Sequence, residues 1–193
     1  MIESFSFSHS GGLEAYNDEV FLGFGTFTIS VVVNGKDDPE SCKRVSDTVS
    51  KILNINFKRF SFDDISYLIF RNVKRSDEYI LVRITDEELE TEIHGGVRGY
   101  LIRGGDIVNV TNGLMALENE DRIIIGTDRF FEDLTPEAVL ADAVTSFSAE
   151  KWLNFLVSRI SDANQLRGKN LSAVAFIVRK TEVVRTDLTT LMN

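Results

Sequence analysis

The apolar and polar positions divide the chain into stretches with a period of two, stretches with a period near 3.6, and Gly- or Asn-rich breaks. Ile2 to Ser8 alternates Ile and Phe with polar residues as a strand does, and His9-Ser10-Gly11-Gly12 supplies a turn after it. Phe21 to Val33 is dense in aromatic and β-branched residues; Gly23 and Gly25 suggest a hairpin or bulge within it, and Asn34-Gly35 ends it. Two amphipathic helices are predicted next. Asp38-Pro39-Glu40 has the form of a helix start with Asp38 as N-cap, and Cys42, Val45, Val49 and Ile52 fall on one face. Ser61-Phe62-Asp63-Asp64 opens the second in the manner of a capping box, ahead of a stripe of Ile65, Leu68, Ile69 and Val73.

From Tyr79 the period of strands returns as YILVRI, ETEIHG, VRGYLIRGG and DIVNV, which together read as one antiparallel meander. It leads into Asp121 to Asp133, DRIIIGTDRFFED. Three consecutive isoleucines there read as a fully buried strand, Gly126-Thr127 stops it, and Asp128 is left as an acid at a rigid strand end. Thr135-Pro136-Glu137 starts a helix through about Val144. Ser148 starts another, with Phe147 and Trp152 at the spacing of a hydrophobic staple and Leu156 and Ile160 extending its apolar face. After a break at Gly168, Leu171 to Val178 is a last buried strand. Strands, two helices, a run of strands, two helices and a closing strand fit the α+β class. The expected architecture is a four-layer α-β-β-α sandwich of two antiparallel sheets flanked by helices, one domain over residues 1–180 with a C-terminal tail over 181–193.

Composition narrows the function. With 43% hydrophobic residues and 14 Phe, 193 residues bury a substantial single core. A formal net charge of -9 repels phosphodiester backbones and anionic bilayers, which argues against nucleic acid or membrane as a partner. One cysteine, Cys42, excludes an intrachain disulfide and a cysteine-rich zinc site. The N-terminus lacks a basic region followed by an apolar one, and no apolar run approaches the roughly 20 residues that span a bilayer, so a cytoplasmic location is expected. His9 and His94 are the only histidines, and neither a Gly-x-Ser-x-Gly elbow nor a nucleotide-binding Gly-rich loop is present. His94 reads as a hydrogen-bonded structural residue.

Five short motifs, in order, carry a resemblance: Asn17-Asp18-Glu19-Val20-Phe21, Val33-Asn34-Gly35, Gly95 to Gly105, Thr127-Asp128-Arg129 and Lys169-Asn170 before LSAVAFIV. Together they resemble the PPM-type (protein phosphatase 2C-like, including sporulation-type) metal-dependent serine/threonine phosphatases, degenerate at the metal motifs. The resemblance covers about Gly11 to Lys180 and implies the same sandwich fold. It makes Asp18 a metal ligand, Glu19 the acid reaching a metal-bound water, and Asp128 a further ligand. Asn34 stands where an Asp bridges two ions, and Gly35 where a carbonyl binds one of them. A neutral amide oxygen cannot offset the repulsion between two divalent ions about 4 Å apart. Glu14 matches the phosphate-binding Arg with reversed charge, Gly96 and Val97 replace an Asp and a Ser, and Lys169 replaces the last metal-binding Asp. Lys169 is expected to pair with Asp128 in place of a metal. Arg98 and Arg129 are the candidate phosphate-binding residues.

The resemblance thus implies a PPM-like domain that has lost two-metal hydrolysis: a pseudophosphatase with no catalytic residue and no metal, or one weakly bound divalent ion. Its work is then to bind a protein partner, a phosphoprotein or kinase-pathway component, in signalling. The alternative is an active manganese- or magnesium-dependent serine/threonine protein phosphatase, a hydrolase with two ions in a shifted site. That site recruits from Asp18, Glu19, Asp37, Asp38 and Asp128, with Arg98, Arg103 or Arg129 for phosphate.

Overall fold

A strand with apolar side chains on both faces has to be covered on both, and several strands of this chain are of that kind. The computed structural model describes residues 1–9, 19–24, 27–34, 39–54, 60–162 and 171–180. Its elements are β1 (Ile2–His9), β2 (Glu19–Phe24), β3 (Phe27–Asn34), α1 (Pro39–Asn54), α2 (Phe62–Asn72), β4 (Glu78–Ile84), β5 (Glu88–His94), β6 (Val97–Arg103), β7 (Asp106–Asn109) and β8 (Gly113–Ala116). There follow β9 (Arg122–Thr127), α3 (Asp128–Phe131), α4 (Pro136–Thr145), α5 (Ala149–Asp162) and β10 (Leu171–Val178). One antiparallel sheet has the order β1-β10-β9-β6-β7, the other β2-β3-β4-β5-β8.

The burial pattern stacks these elements into four layers. In β9, Ile123 and Ile125 face the space between the sheets while Ile124 faces the helices; in β10, Val174, Phe176 and Val178 face inward and Ala173, Ala175 and Ile177 outward. In the second sheet, Val32, Ile80 and Val82 meet them across the central core, and Ile29, Val31, Val33, Tyr79 and Leu81 turn the other way onto α1 and α2. The helix α5, with α3 and α4, covers the outer face of the first sheet through Trp152, Leu156 and Ile160. The expected α+β, four-layer α-β-β-α sandwich is therefore what this chain forms. No helix among the described residues is long and apolar enough to cross a membrane.

The helix signals operate as read. The Ser61 hydroxyl accepts from the Asp64 N–H and the Asp64 carboxylate accepts from the Ser61 N–H, completing a capping box, and Cys42, Val45, Val49 and Ile52 are the buried face of α1. Thr135 caps α4 through the Ala138 N–H, with Pro136 in the first turn, and the Ser148 hydroxyl accepts from the Lys151 N–H at the start of α5. Asp38 and the tail 181–193 lie outside the described residues.

Three expectations are corrected, and two elements are new. The stretch from Tyr79 to Val110 is not one meander: β4 and β5 belong to one sheet, β6 and β7 to the other, and the chain changes sheet at Gly95-Gly96. The strand of three isoleucines does not stop at Gly126 but runs to Thr127, which pairs with Val97. Phe147 and Trp152 form no staple; Trp152 is fully buried while Phe147 is 71% exposed, its ring covered by the Lys151 ammonium at 4.5 Å. Finally, β8 and the single turn α3 are unannounced by the apolar pattern. The first is a mostly exposed edge strand, and the second follows a strand without a break.

Trp152 is the largest side chain in the outer core, and its indole N–H donates to the Val139 carbonyl at 3.3 Å. Trp152→Ala is expected to lower unfolding free energy by about 3–5 kcal/mol, followed in urea by circular dichroism.

Candidate functional site

The sheet crossover assembles a polar cluster at one end of the sandwich. β3 ends at Asn34, β4 begins at Glu78, and antiparallel pairing sets these two residues directly opposite each other. The crossover from β5 to β6 passes over them. Gly95 adopts φ +75°, and a β-carbon there would lie 2.2 Å from the Glu78 Cγ; one at Gly96 would lie 2.8 Å from Glu78 Oε2. Glycine at both places is what lets the Glu78 carboxylate occupy this corner. In the first sheet, β6 and β9 pair Val97 with Thr127, which sets Asp128, the opening residue of α3, beside the same crossover.

Hydrogen bonds join these pieces. The Asn34 amide nitrogen, in a buried side chain, donates to Glu78 Oε2 at 2.9 Å and to the Gly96 carbonyl at 3.2 Å. Both partners are acceptors, so the orientation of the amide follows from the network. The same Gly96 carbonyl accepts from the Asp128 backbone N–H at 2.9 Å. The Asp128 carboxylate in turn takes the Arg98 guanidinium, with Nε at 2.9 Å and a second, shorter contact from the terminal nitrogen. Burial alone pulls the Arg98 pKa down, but the Asp128 hydrogen bond and charge, with help from Tyr100, outweigh it and the net direction is upward. Each partner is about half exposed, so the pair contributes about 0–1 kcal/mol to stability while holding both charges in place.

Thr127 positions Asp128 from behind. Its hydroxyl accepts from the Ser172 N–H of β10 at 3.3 Å, and Gly126 lets Phe131 and β10 approach, since a β-carbon there would lie 3.0 Å from Phe131 and from the Ser172 carbonyl.

The chain is similar to three structures of proteins with the same layers. RsbX in complex with magnesium matches at a TM-score of 0.71 and 16% identity, over 92% of this chain and 95% of that one. The catalytic domain of the serine/threonine phosphatase PstP in complex with 2 manganese ions matches at 0.66 and 12%, over 93% and 99%. The RsbU and RsbW domains of a Mycobacterium tuberculosis protein match at 0.73 and 10%, over 92% of this chain and 61% of that one. The fold is that of the PPM-type phosphatases. No family model and no curated protein matches the sequence.

Of the residues that the PPM resemblance singles out, the structure brings Asn34, Gly96, Arg98 and Asp128 together. Arg129 lies one residue further along, half-buried in α3. Asp18, Gly35 and Lys169 lie outside the described residues, as do Glu14, Asp37, Asp38 and Asn170, and Glu19 is described only as the first residue of β2. The partner found for Asp128 is Arg98, a residue first considered for phosphate. Glu78 is the member of the cluster that sequence reading missed. It lies 44 residues from Asn34 and opens an otherwise ordinary strand, so the one available signal was its register opposite the Asn.

Where the Gly96 carbonyl and the Glu78 carboxylate converge, an N–H donor meets them, and no group of three or more His, Cys, Asp or Glu side chains able to hold a metal ion occurs among the described residues.

Two of the positive-φ glycines, Gly95 and Gly104, separate close approach from backbone geometry. Gly104 also has positive φ, at +58°, but nothing within 4 Å of a β-carbon. Gly104→Ala should cost about 1 kcal/mol, from the left-handed backbone alone. Gly95→Ala should cost about 3 kcal/mol, because Glu78 must also leave its place. Urea denaturation of the two variants checks the difference.

Proposed function

We propose that this chain is a PPM-fold domain that does not hydrolyse phosphate esters and acts by binding a protein partner. The observation that carries this reading is the Asn34 amide. Its two N–H groups satisfy the Glu78 carboxylate and the Gly96 carbonyl, oxygens that in a metal centre would need a cation between them. An N–H donor there costs no ion capture and holds the crossover closed. Asp128, the acid retained from the family pattern, is neutralised by Arg98, so its demand for positive charge is also met from within the chain. Lys169 belongs to the same proposal: by the motif match it adds a second protein cation where the family has a metal-binding Asp.

Hydrolysis by this family needs charged oxygens to gather the ions, a metal-activated water and positive charge for the phosphate. A domain whose acids are answered by Arg98 and an amide keeps the surface of a phosphatase without those means. Binding a phosphoprotein or another signalling component is the use that such a surface retains, and similarity to an RsbU domain solved beside an RsbW domain, and to a structure of the bacterial stressosome adapted to control secondary messenger signalling, supports this reading.

Two measurements test the proposal. Manganese up to millimolar concentration should leave the melting temperature of the unmodified protein unchanged. Asn34→Asp, which sets a second carboxylate against Glu78, should melt lower without metal and recover with it; at 100-fold excess over Kd, recovery amounts to about 2.7 kcal/mol. Hydrolysis of an aryl phosphate with manganese should be absent. Turnover that disappears in Asp128→Ala would instead identify an active phosphatase.

A further inference from the structure

A pocket of about 310 Å³ opens where α2 runs out toward β4, lined by Phe70, Val73, Lys74, Arg75 and His94. It adjoins the polar cluster through the chain itself, since His94 is followed by the Gly95-Gly96 crossover and Asp77 by Glu78.

One wall of the pocket is a fixed aromatic stack. The His94 ring lies on buried Tyr79 with centroids 5.0 Å apart and 19° between planes, and Phe70 meets it at 5.9 Å, tilted by 38°. His94 Nε2 is 3.2 Å from Glu92 Oε1, which also accepts from the Tyr79 hydroxyl at 3.2 Å, so the ring is held by contacts beneath the pocket. Burial, and after it the Glu92 charge, push the Tyr79 hydroxyl pKa well above the ordinary tyrosine value, so it remains a donor there. Phe70 is 51% exposed at the surface.

The charges at the pocket are arranged with one sign outward. Asp77 is buried and takes Arg44 through two contacts, at 3.0 and 2.6 Å, together with the Lys74 backbone N–H at 2.8 Å. Glu78 takes Asn34, and Glu92 takes Ser66, Tyr79 and His94. Among the described residues, the acids beside the pocket, Asp77, Glu78 and Glu92, are thus turned to internal partners. The side chains of Lys74 and Arg75 are exposed, and among the described residues they form no ion pair. Arg71, in the last turn of α2, stacks on the exposed Tyr67 ring at 5.7 Å. In a chain of net charge -9 this is a local reversal of sign beside an apolar shelf.

We propose that this pocket is the docking site for an acidic segment of a partner protein, with Lys74 and Arg75 pairing its carboxylates or a phosphate and Phe70 and His94 packing against an apolar residue next to them. This rests on the partner-binding reading above and specifies the partner's chemistry. Against a net charge of -9, a basic pair with no acidic partner among the described residues is where an acidic segment gains most, while the aromatic shelf adds contact that charge alone does not supply.

The test uses the full chain and two fluorescein-labelled peptides of one sequence, a run of Glu and Asp flanking Phe and Ser, with the Ser either free or phosphorylated. Anisotropy should show binding of at least one peptide. Lys74→Glu with Arg75→Glu should weaken it about tenfold or more, and Phe70→Ala should weaken it several-fold, with melting temperatures unchanged because these side chains are exposed. Lys43→Glu with Lys51→Glu on α1, the same change in net charge elsewhere, should leave binding unchanged. Tighter binding of the phosphorylated peptide, with competition by inorganic phosphate, identifies a phosphoryl group as the anion; equal binding identifies carboxylates. Absence of binding by both peptides, or equal losses in the two charge-reversal variants, overturns the proposal. The outcome is separable from that of the preceding reading, since aryl phosphate turnover would refute loss of hydrolysis and leave peptide binding at this pocket unaffected.

Discussion

Strands β3, β4, β9 and β10 are buried on both faces, and the need to keep both faces from water orders everything else in this molecule. Placing the inner faces against each other makes the central core of Val32, Ile80, Val82, Ile123, Ile125, Val174 and Phe176; the outer faces then require a helical layer on each side. Helices α1 and α2 answer for one sheet, and α4 and α5 for the other. The Asp142–Arg159 pair, with contacts of 2.6 and 2.7 Å, ties that second helical layer together.

Joining two sheets requires the chain to pass from one to the other, and the shortest such passage is Gly95-Gly96, between His94 of β5 and Val97 of β6. Its tightness has a chemical result. The Gly96 carbonyl faces the ends of both sheets at once, accepting from Asn34 of one and from the Asp128 N–H that follows β9 of the other. The polar cluster is thus a product of the crossover: residues from four separate stretches of sequence meet because the backbone turns there with no side chain in the way.

Energetically the cluster combines two kinds of interaction. The Arg98–Asp128 pair is half exposed and screened, so it fixes charge more than it stabilises. The Asn34 bonds are made by a buried amide, and removing the partners of a buried polar group costs about 1–3 kcal/mol. The neutral residue therefore carries more of the local stability than the charged pair. This is the reverse of a metal site, where the ions and the acids around them dominate.

How far the sequence reaches can be judged residue by residue. The apolar periods and end signals of β1, α1, α2, β9, α4, α5 and β10 were legible because they are local: a capping box, Pro in the first turn, three isoleucines in a row. The layered architecture followed from their order, and the ordered motifs pointed to the PPM fold. Asn34 and Asp128 were legible as candidates for the same reason. What those residues touch was not. The amide of Asn34 meets Glu78 across 44 residues, and Asp128 meets Arg98 across 30, through strand register and a sheet crossover that no local pattern encodes. The meander was misread at that crossover because the period of two continues through it; only packing decides which sheet a strand joins. Phe147 was assigned to a staple by spacing alone, whereas Lys151 and solvent claim it once α5 has turned Trp152 into the core. Sequence by itself determined which segments are helix or strand and which faces are apolar, because those depend on neighbours within a few residues. Tertiary structure alone decided which polar groups share a corner, because that depends on distances set by two sheets packing together.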